Sequence, residues 1–273
     1  MNQPQITADI YDLPEYYDIV FADDWEAEFE FLRFCFDRYV EGDAQRLLEP
    51  ACGTGRLLVE LNDAGYEVAG VELNDKMARY CQQRCPGADL LSGDMANFQL
   101  RQFAQAEPFD AGFNMINSVR HLLSEQKAVS HFRCMAEAIR PGGIYVVGLH
   151  LTPTIGDPLE EETWVATRDD VTVTCHLETY DRDLTARIER ASLRYDIEKQ
   201  DAELQVVGDL SFRTYTAEQM EQTLRTAGGW EIAETYDFTY DQVEPIVVDG
   251  QSEDVVYVLK RTAEAPGTQT PQP

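Results

Sequence analysis

The sequence has few basic residues for its length. Its 273 residues include 22 lysines and arginines against 50 aspartates and glutamates, so the formal net charge is −28 at pH 7. A field of this sign repels the phosphates of nucleic acids and of anionic membrane surfaces. We therefore expect neither nucleic acid nor a membrane as a partner, although solubility alone accounts for most of such a charge.

Long apolar stretches are also missing. No run reaches the roughly 20 apolar residues that cross a bilayer, and residues 1–5 lack the basic and apolar regions of a secretory signal. The six cysteines are scattered, and only Cys81 and Cys85 lie one helical turn apart, without a second pair or a nearby histidine. These features predict a cytoplasmic protein with unpaired thiols and no metal site.

The stretch from Arg46 to Leu58 organises the first half of the chain. It predicts a short buried strand, a turn at Gly53 and Gly55, and a helix that begins near Arg56. The glycines let the backbone turn tightly, and the helix points its amide dipoles back at the turn. One interpretation is a polar small molecule held against bare backbone; the other is an ordinary strand–turn–helix corner.

The residues after this turn narrow the choice of ligand. A dinucleotide-binding turn has a third glycine three positions after the second, where this chain has Leu58. No Lys-Ser or Lys-Thr pair follows the turn, so a phosphate-binding P-loop is excluded. An NAD-type oxidoreductase is therefore a disfavoured alternative.

Residues 49–55, Glu-Pro-Ala-Cys-Gly-Thr-Gly, resemble the first motif of class I, Rossmann-like S-adenosylmethionine-dependent methyltransferases. The chain resembles this family from about Tyr11 to Lys260, and its second half is similar to the bacterial small-molecule branch, which includes sugar-amine N-methyltransferases. The resemblance implies methyl transfer from S-adenosylmethionine to nitrogen or oxygen of a small acceptor by in-line displacement. Because no catalytic motif is shared, a protein that binds S-adenosylmethionine or S-adenosylhomocysteine without transfer activity is the alternative.

The resemblance also implies a set of cofactor contacts. Glu72 has about the 20-residue spacing of a ribose-binding acid after the turn, and a carboxylate can accept from both ribose hydroxyls. In the family, an acid at the position of Asp94 accepts from the adenine amine, and a tyrosine-rich leader folds over the cofactor; edge packing explains the tyrosines equally well. The predicted contacts are Tyr11, Tyr16, Glu49, Ala51, Gly53, Gly55, Glu72, Leu73, Asp94, Met95, Asn114 and Asn117.

The loop after the fourth strand supplies candidates near the acceptor. Ligands of open parallel sheets bind beyond the carboxyl ends of the strands, so Asn114, Asn117 and Ser118 should face the methyl donor or the acceptor. No Asn/Asp-Pro-Pro-aromatic motif, typical of base-amine methylation, is present, which agrees with the charge. His121 could act as a base or orient a substrate, although a lone histidine near a helix start is as often structural.

The predicted elements change character after the fifth strand. Strands and helices alternate up to Leu149, which predicts an α/β fold with a doubly wound Rossmann-like sheet. Residues 163–214 instead alternate with period two, with hairpin turns at 169–170 and 181–183, which predicts an antiparallel β insert. The expected division is 1–45 lid and helix, 46–150 cofactor-binding core, 151–214 insert, 215–261 C-terminal helix and edge strands, and 262–273 disordered tail.

The insert begins where the acceptor must sit, so we expect it to form one wall of the acceptor pocket. Arg194, Tyr195 or Arg213 is expected to make a polar contact there, although pairing with surface acids explains any single one of them as well. The protein is expected to be a monomer or a homodimer.

Overall fold

The structure, a computed structural model, describes residues 5–22, 24–158, 160–200, 202–242 and 244–263. Its α-helices are α1 (Pro14–Phe21), α2 (Glu26–Tyr39), α3 (Arg56–Asp63), α4 (Asp75–Arg84), α5 (Glu125–Ala138) and α6 (Ala217–Ala227). Its strands are β1 (Gln5–Thr7), β2 (Arg46–Pro50), β3 (Glu67–Glu72), β4 (Asp89–Ser92), β5 (Phe109–Asn114), β6 (Ile139–His150), β7 (Glu161–Arg168), β8 (Val171–Asp183), β9 (Ile188–Lys199), β10 (Ala202–Arg213), β11 (Trp230–Tyr236) and β12 (Asp254–Arg261).

The larger sheet has the order β11-β12-β6-β5-β2-β3-β4. Strands β2 to β6 pair in parallel, whereas β12 runs antiparallel to both of its neighbours. Apolar side chains cover both faces, because α5 and α6 pack on one face and α2, α3 and α4 on the other. The predicted doubly wound Rossmann-like sheet is confirmed. None of the described helices is long and apolar enough to cross a membrane.

The smaller sheet consists of β7, β8, β9 and β10 paired antiparallel, with β1 added in parallel to β10. It follows β6, the fifth strand of the core, as predicted. The turn at 169–170 is confirmed, but the turn predicted at 181–183 is wrong. Asp181 and Arg182 pair across to Arg190 and Glu189, and these cross-strand ion pairs extend the ladder, so the chain reverses at residues 184–187 instead.

The N-terminal segment joins the two sheets. Ile10 and Ile19 are buried in an apolar cluster with residues of the smaller sheet. The carboxylate of Asp18, which is 1% exposed, accepts from Arg84 on α4 and from Arg168 on β7. This segment is therefore held to the core and to the insert at once. The predicted disordered tail lies outside the described residues from position 264 onward.

Candidate active site

One continuous cavity of about 560 Å³ lies between the two sheets. The carboxyl ends of β2, β3 and β5 supply one side, which is where open parallel sheets bind ligands. Strands of the smaller sheet supply an opposite, mainly apolar side that includes Trp164, Leu177, Leu193, Leu210 and Phe212. The 3-10 turn at Ile10–Asp12 and helix α1 add the remaining edge.

Gly53 and Gly55 shape the turn in different ways. Both have positive φ, +54° and +77°. A Cβ on Gly53 would meet nothing within 4 Å, because this residue lines the cavity. A Cβ on Gly55 would lie 2.4 Å from Sγ of Cys81, and Gly55 is not among the lining residues. Gly53 therefore presents bare backbone to a ligand, whereas Gly55 lets α3 pack closely on α4.

Substitution should separate these two roles. We expect Gly55→Ala to lower the free energy of unfolding by about 3 kcal/mol, since left-handed strain of about 1–2 kcal/mol adds to overpacking against Cys81. Gly42→Ala is the matched control, because Gly42 has φ +83° and open space around its Cα; it should show the strain of about 1–2 kcal/mol alone. Urea unfolding measures both, and equal losses would contradict the packing role.

Glu72 closes the turn from the end of β3. Its Oε2 accepts from the backbone N–H of Gly53 at 2.8 Å, and its Oε1 accepts from the N–H of Asn74 at 2.8 Å. Burial raises the pKa of this carboxyl, and the backbone hydrogen bonds oppose that shift. Each carboxylate oxygen keeps a further lone pair, so the group can accept from a pair of ligand hydroxyls.

Two buried oxygens beside the turn have no hydrogen-bond partner within the described part of the chain. One is Oε2 of Glu49, whose carboxyl has a pKa raised well above its usual value by burial, with Arg56 acting in the opposite direction. The other is Oδ1 of Asn114, whose Nδ2 donates to the carbonyl of Pro50 at 2.8 Å. Unpartnered buried acceptors are costly, so both oxygens indicate a place for a ligand N–H donor.

Apolar and acidic residues meet beyond the ends of β3, β4 and β5. Leu73 is 70% exposed and Ile116 48% exposed, yet both line the cavity, as does buried Met95. Asp94 accepts from the N–H of Ala96 at 2.8 Å and lies 3.4 Å from Nζ of Lys127. Apolar surface beside a hydrogen-bonding carboxylate suits a flat heterocycle with an exocyclic amine.

Tyr11 and His121 form a hydrogen-bonded pair in the cavity. The Tyr11 hydroxyl lies 3.1 Å from Nε2 of His121, and the imidazole packs against the ring of Phe212 at 5.1 Å. Burial lowers the pKa of His121 to about 4, so the imidazole is neutral at neutral pH. Its Nε2 can accept a hydrogen bond from the Tyr11 hydroxyl. The proton stays on that hydroxyl, because burial raises the pKa of Tyr11. Asn117 lies beside the pair, and its Oδ1 accepts from the N–H of His150 at 2.7 Å.

Several predicted contacts lie elsewhere. Tyr16 is outside the cavity, where its hydroxyl accepts from Lys199 at 2.9 Å, and Tyr17 lines the cavity instead. The polar contact expected from Arg194, Tyr195 or Arg213 is wrong, because none of them lines the cavity. Arg194 pairs with Asp196 at 3.0 Å, and Arg213 pairs with Glu125 at 2.9 Å. Tyr195 is buried in the apolar cluster of the smaller sheet.

A smaller cavity of about 150 Å³ adjoins the larger one and is called the side chamber below. The two share Asn117, His150, Glu162, Leu177 and Phe212. At this junction, Nδ1 of His150 lies 2.5 Å from Oδ1 of Asp254. Burial raises the pKa of Glu162; His150 opposes that shift, and Asp254 adds to it. Sequence reasoning missed all three residues, since they come from three distant segments and no local pattern links them.

Comparisons with known proteins find similarity to methyltransferases. Residues 47–143 match a family described as "Methyltransferase domain". The dTDP-3-amino-3,4,6-trideoxy-alpha-D-glucopyranose N,N-dimethyltransferase of Streptomyces venezuelae is 34% identical over 105 residues, which are 38% of this chain and 42% of that protein. The chain thus spans about half the length, or less, of the first curated relatives that it matches.

Solved structures match over nearly the whole chain. Streptomyces venezuelae DesVI has a TM-score of 0.73 at 21% identity and covers 92% of this chain and 98% of its own. The sugar N-methyltransferase KedS8 from Streptoalloteichus sp ATCC 53650 has a TM-score of 0.72 at 21% identity, covering 96% and 98%. At this identity the likeness shows the fold.

Proposed function

We propose, from the class I S-adenosylmethionine-dependent methyltransferase domain that this chain carries, that the protein N-methylates a small-molecule amine. The observation that carries the proposal is the continuous cavity. One of its sides has the glycine turn, Glu72 and Asp94. The other side is mainly apolar and adjoins the polar pair of Tyr11 and His121. The amine acceptors named in two relatives, an amino sugar N,N-dimethyltransferase and a sugar N-methyltransferase, support nitrogen as the methylated atom.

The residues on the core side fit S-adenosylmethionine. Glu72 would accept from the ribose hydroxyls, Asp94 from the adenine amine, and Leu73 and Met95 would pack on the ring. The unpartnered oxygen of Glu49, together with the bare backbone of Gly53, would take the amino-acid end. When bound, this cofactor supplies a methyl group that is already activated by its sulfonium.

The chain's own contribution is alignment and exclusion of water. Tyr11 and His121 present a hydroxyl and a neutral imidazole that can orient a polar acceptor group. Tyr17 and Phe21 from α1, with Trp164 from β7, line the cavity and cover it with aromatic surface. These residues belong to the lid and to the insert, so both segments would close the site around the acceptor.

Calorimetric titration tests the cofactor half of the proposal. S-adenosylmethionine and S-adenosylhomocysteine should both bind, whereas NAD should not, because Leu58 replaces the third glycine of the dinucleotide turn. Absence of binding by both sulfur compounds would overturn the proposal. Binding without turnover of any amine would favour a protein that only senses the cofactor.

The role of the insert is testable by filling the cavity. Deleting the insert is unsuitable, because β1 pairs with β10 and the lid packs on the same sheet. Leu177 lines both the cavity and the side chamber. We expect Leu177→Trp to raise the KM for the amine about tenfold or more while cofactor affinity stays unchanged. Leu184→Trp, at a position that is 61% exposed, is the control. Equal KM values for both variants would contradict the proposal that the insert forms a wall of the acceptor pocket.

A further inference from the structure

The arginines of the side chamber are engaged by one carboxylate. Arg120 and Glu189 are 6% and 7% exposed, and Nη2 of Arg120 lies 3.0 Å from Oε1 of Glu189. Nε of Arg182 lies 2.6 Å from the second oxygen, Oε2. Both oxygens of Glu189 thus accept from a guanidinium, so each arginine of the side chamber has an acidic partner. The sign of the chamber's field is therefore decided by the other charged side chains that line it.

Carboxylates outnumber basic side chains in the rest of the lining. Among the described residues, the lysine and arginine that line the larger cavity also have acidic partners, since Arg56 lies 2.5 Å from Glu28 and Lys127 lies 3.4 Å from Asp94. Besides Glu189, the side chamber is lined by the acids Glu160, Glu162, Glu253 and Asp254, of which Glu162 also lines the larger cavity. Together with the net charge of −28, this lining favours a cationic group and repels a diphosphate.

We propose that the acceptor is a free cationic amine, not one linked to a nucleoside diphosphate, and that its ammonium group binds between Glu162 and the His150–Asp254 pair. The proposal rests on the proposed function and names its substrate class. An independent observation in the same cavity is Asn114, which is 2% exposed and whose Oδ1 lacks a hydrogen-bond partner in the described ranges. A buried oxygen without a partner is costly, and an amine N–H is a donor that would satisfy it.

The geometry of His150 also provides for removal of a proton. Its Nδ1 lies 2.5 Å from Oδ1 of Asp254. In the tautomer that donates from Nδ1 to this carboxylate, the lone pair is on Nε2. The ammonium gives one proton to Nε2, and the nitrogen lone pair becomes available. The nitrogen then bonds the methyl carbon while the carbon–sulfur bond of the sulfonium breaks and its electron pair stays on sulfur. The imidazolium then releases its extra proton to water, and the methylated nitrogen leaves as an ammonium.

Two acceptors separate the substrate classes, each offered with S-adenosylmethionine: 3-amino-3-deoxyglucose and the same amino sugar as its dTDP conjugate. We expect the free amine to have a kcat/KM about tenfold or more above that of the conjugate. A higher kcat/KM for the dTDP conjugate than for the free amine would overturn the proposed substrate class, but it would still agree with the proposed function. Failure of both acceptors overturns the inference, and cofactor binding then decides separately whether the proposed function also fails.

Variants test the binding site. Glu162→Gln should raise the KM for the free amine about tenfold or more with a smaller change in kcat, because a charge is lost from ground-state binding. Glu161→Gln is the matched control, since this neighbour on β7 is exposed and outside both cavities. Calorimetry of the amine with the S-adenosylhomocysteine complex gives a readout without turnover. Equal amine affinities in the two variants would overturn the site.

The pH profile tests His150. His150→Asn should lower kcat/KM about 10²-fold or more at neutral pH, and the deficit should shrink as pH rises above the amine's own pKa, because the amine is then already neutral. A purely structural role predicts a deficit that is constant with pH, and that result would contradict the proton-accepting role. The charged side chains that line the side chamber together with His150 are Asp254, Glu162, Glu253, Glu160, Glu189, Arg120 and Arg182.

Discussion

Replacing Asp18 with alanine is expected to lower the free energy of unfolding by about 2–3 kcal/mol. The buried carboxylate accepts hydrogen bonds from Arg84, from Arg168 at 2.6 Å and from the hydroxyl of Tyr80 at 3.2 Å. Removing one member of a buried ion-pair network leaves its partners uncompensated, at about 3–5 kcal/mol when they are fully buried. The two arginine side chains are 27% and 34% exposed, so water reduces the loss.

The same substitution should weaken cofactor binding indirectly. Asp18 fixes the segment that carries Tyr11 and Tyr17, and both tyrosines line the cavity. Asp181→Ala is the control, because its pair with Arg190 is about half exposed and such pairs contribute about 0–1 kcal/mol. Urea unfolding and calorimetry with S-adenosylmethionine measure the two effects. If the Asp18 variant is no less stable than the control, the segment is held by other contacts.

Replacing Glu72 with alanine is expected to weaken S-adenosylmethionine binding about 10²–10³-fold. The carboxylate would accept from two ribose hydroxyls, and hydrogen bonds to a charged group contribute about 1.5–3 kcal/mol each. The substitution also frees the N–H groups of Gly53 and Asn74 that the carboxylate holds at 2.8 Å. The binding surface of the turn is then lost together with the direct contact.

The control for this prediction lies at the other end of the same strand. Glu67 is 62% exposed and pairs with Arg46 at 3.1 Å, so Glu67→Ala should leave cofactor affinity unchanged. Thermal unfolding of both variants separates loss of binding from loss of the fold. An affinity for Glu72→Ala within about threefold of the control would mean that the ribose binds elsewhere.

Residues with local signals were predictable from the sequence. The glycine turn, the acid at the end of β3 and the polar loop after β5 are all encoded by short patterns at strand ends, and the parallel sheet brings them together. The strands of the insert were predictable because side chains alternate along them. Gly55 was predicted as a ligand contact, yet its glycine is required by close packing of Cys81, which only the tertiary structure reveals.

Other parts of the site depend on contacts between distant segments. Tyr16 and Tyr17 differ by a single step around α1, and the choice between them follows from the packing of α1 on the smaller sheet. Strand β1 has three exposed residues and acquires its conformation by pairing with β10. The junction of His150, Glu162 and Asp254 forms only when the ends of β6, β7 and β12 meet, so no local sequence pattern predicts it.

The most direct test of the proposed function follows a labelled methyl group. The protein is incubated with S-adenosylmethionine carrying a deuterated methyl group and with 3-amino-3-deoxyglucose, and the products are analysed by mass spectrometry. We expect S-adenosylhomocysteine together with an amino sugar that carries the deuterated methyl group on nitrogen, and much less of either product with the Glu72→Ala variant. Label on a hydroxyl oxygen, or equal amounts of product from the wild-type protein and the variant, would contradict the proposed N-methylation.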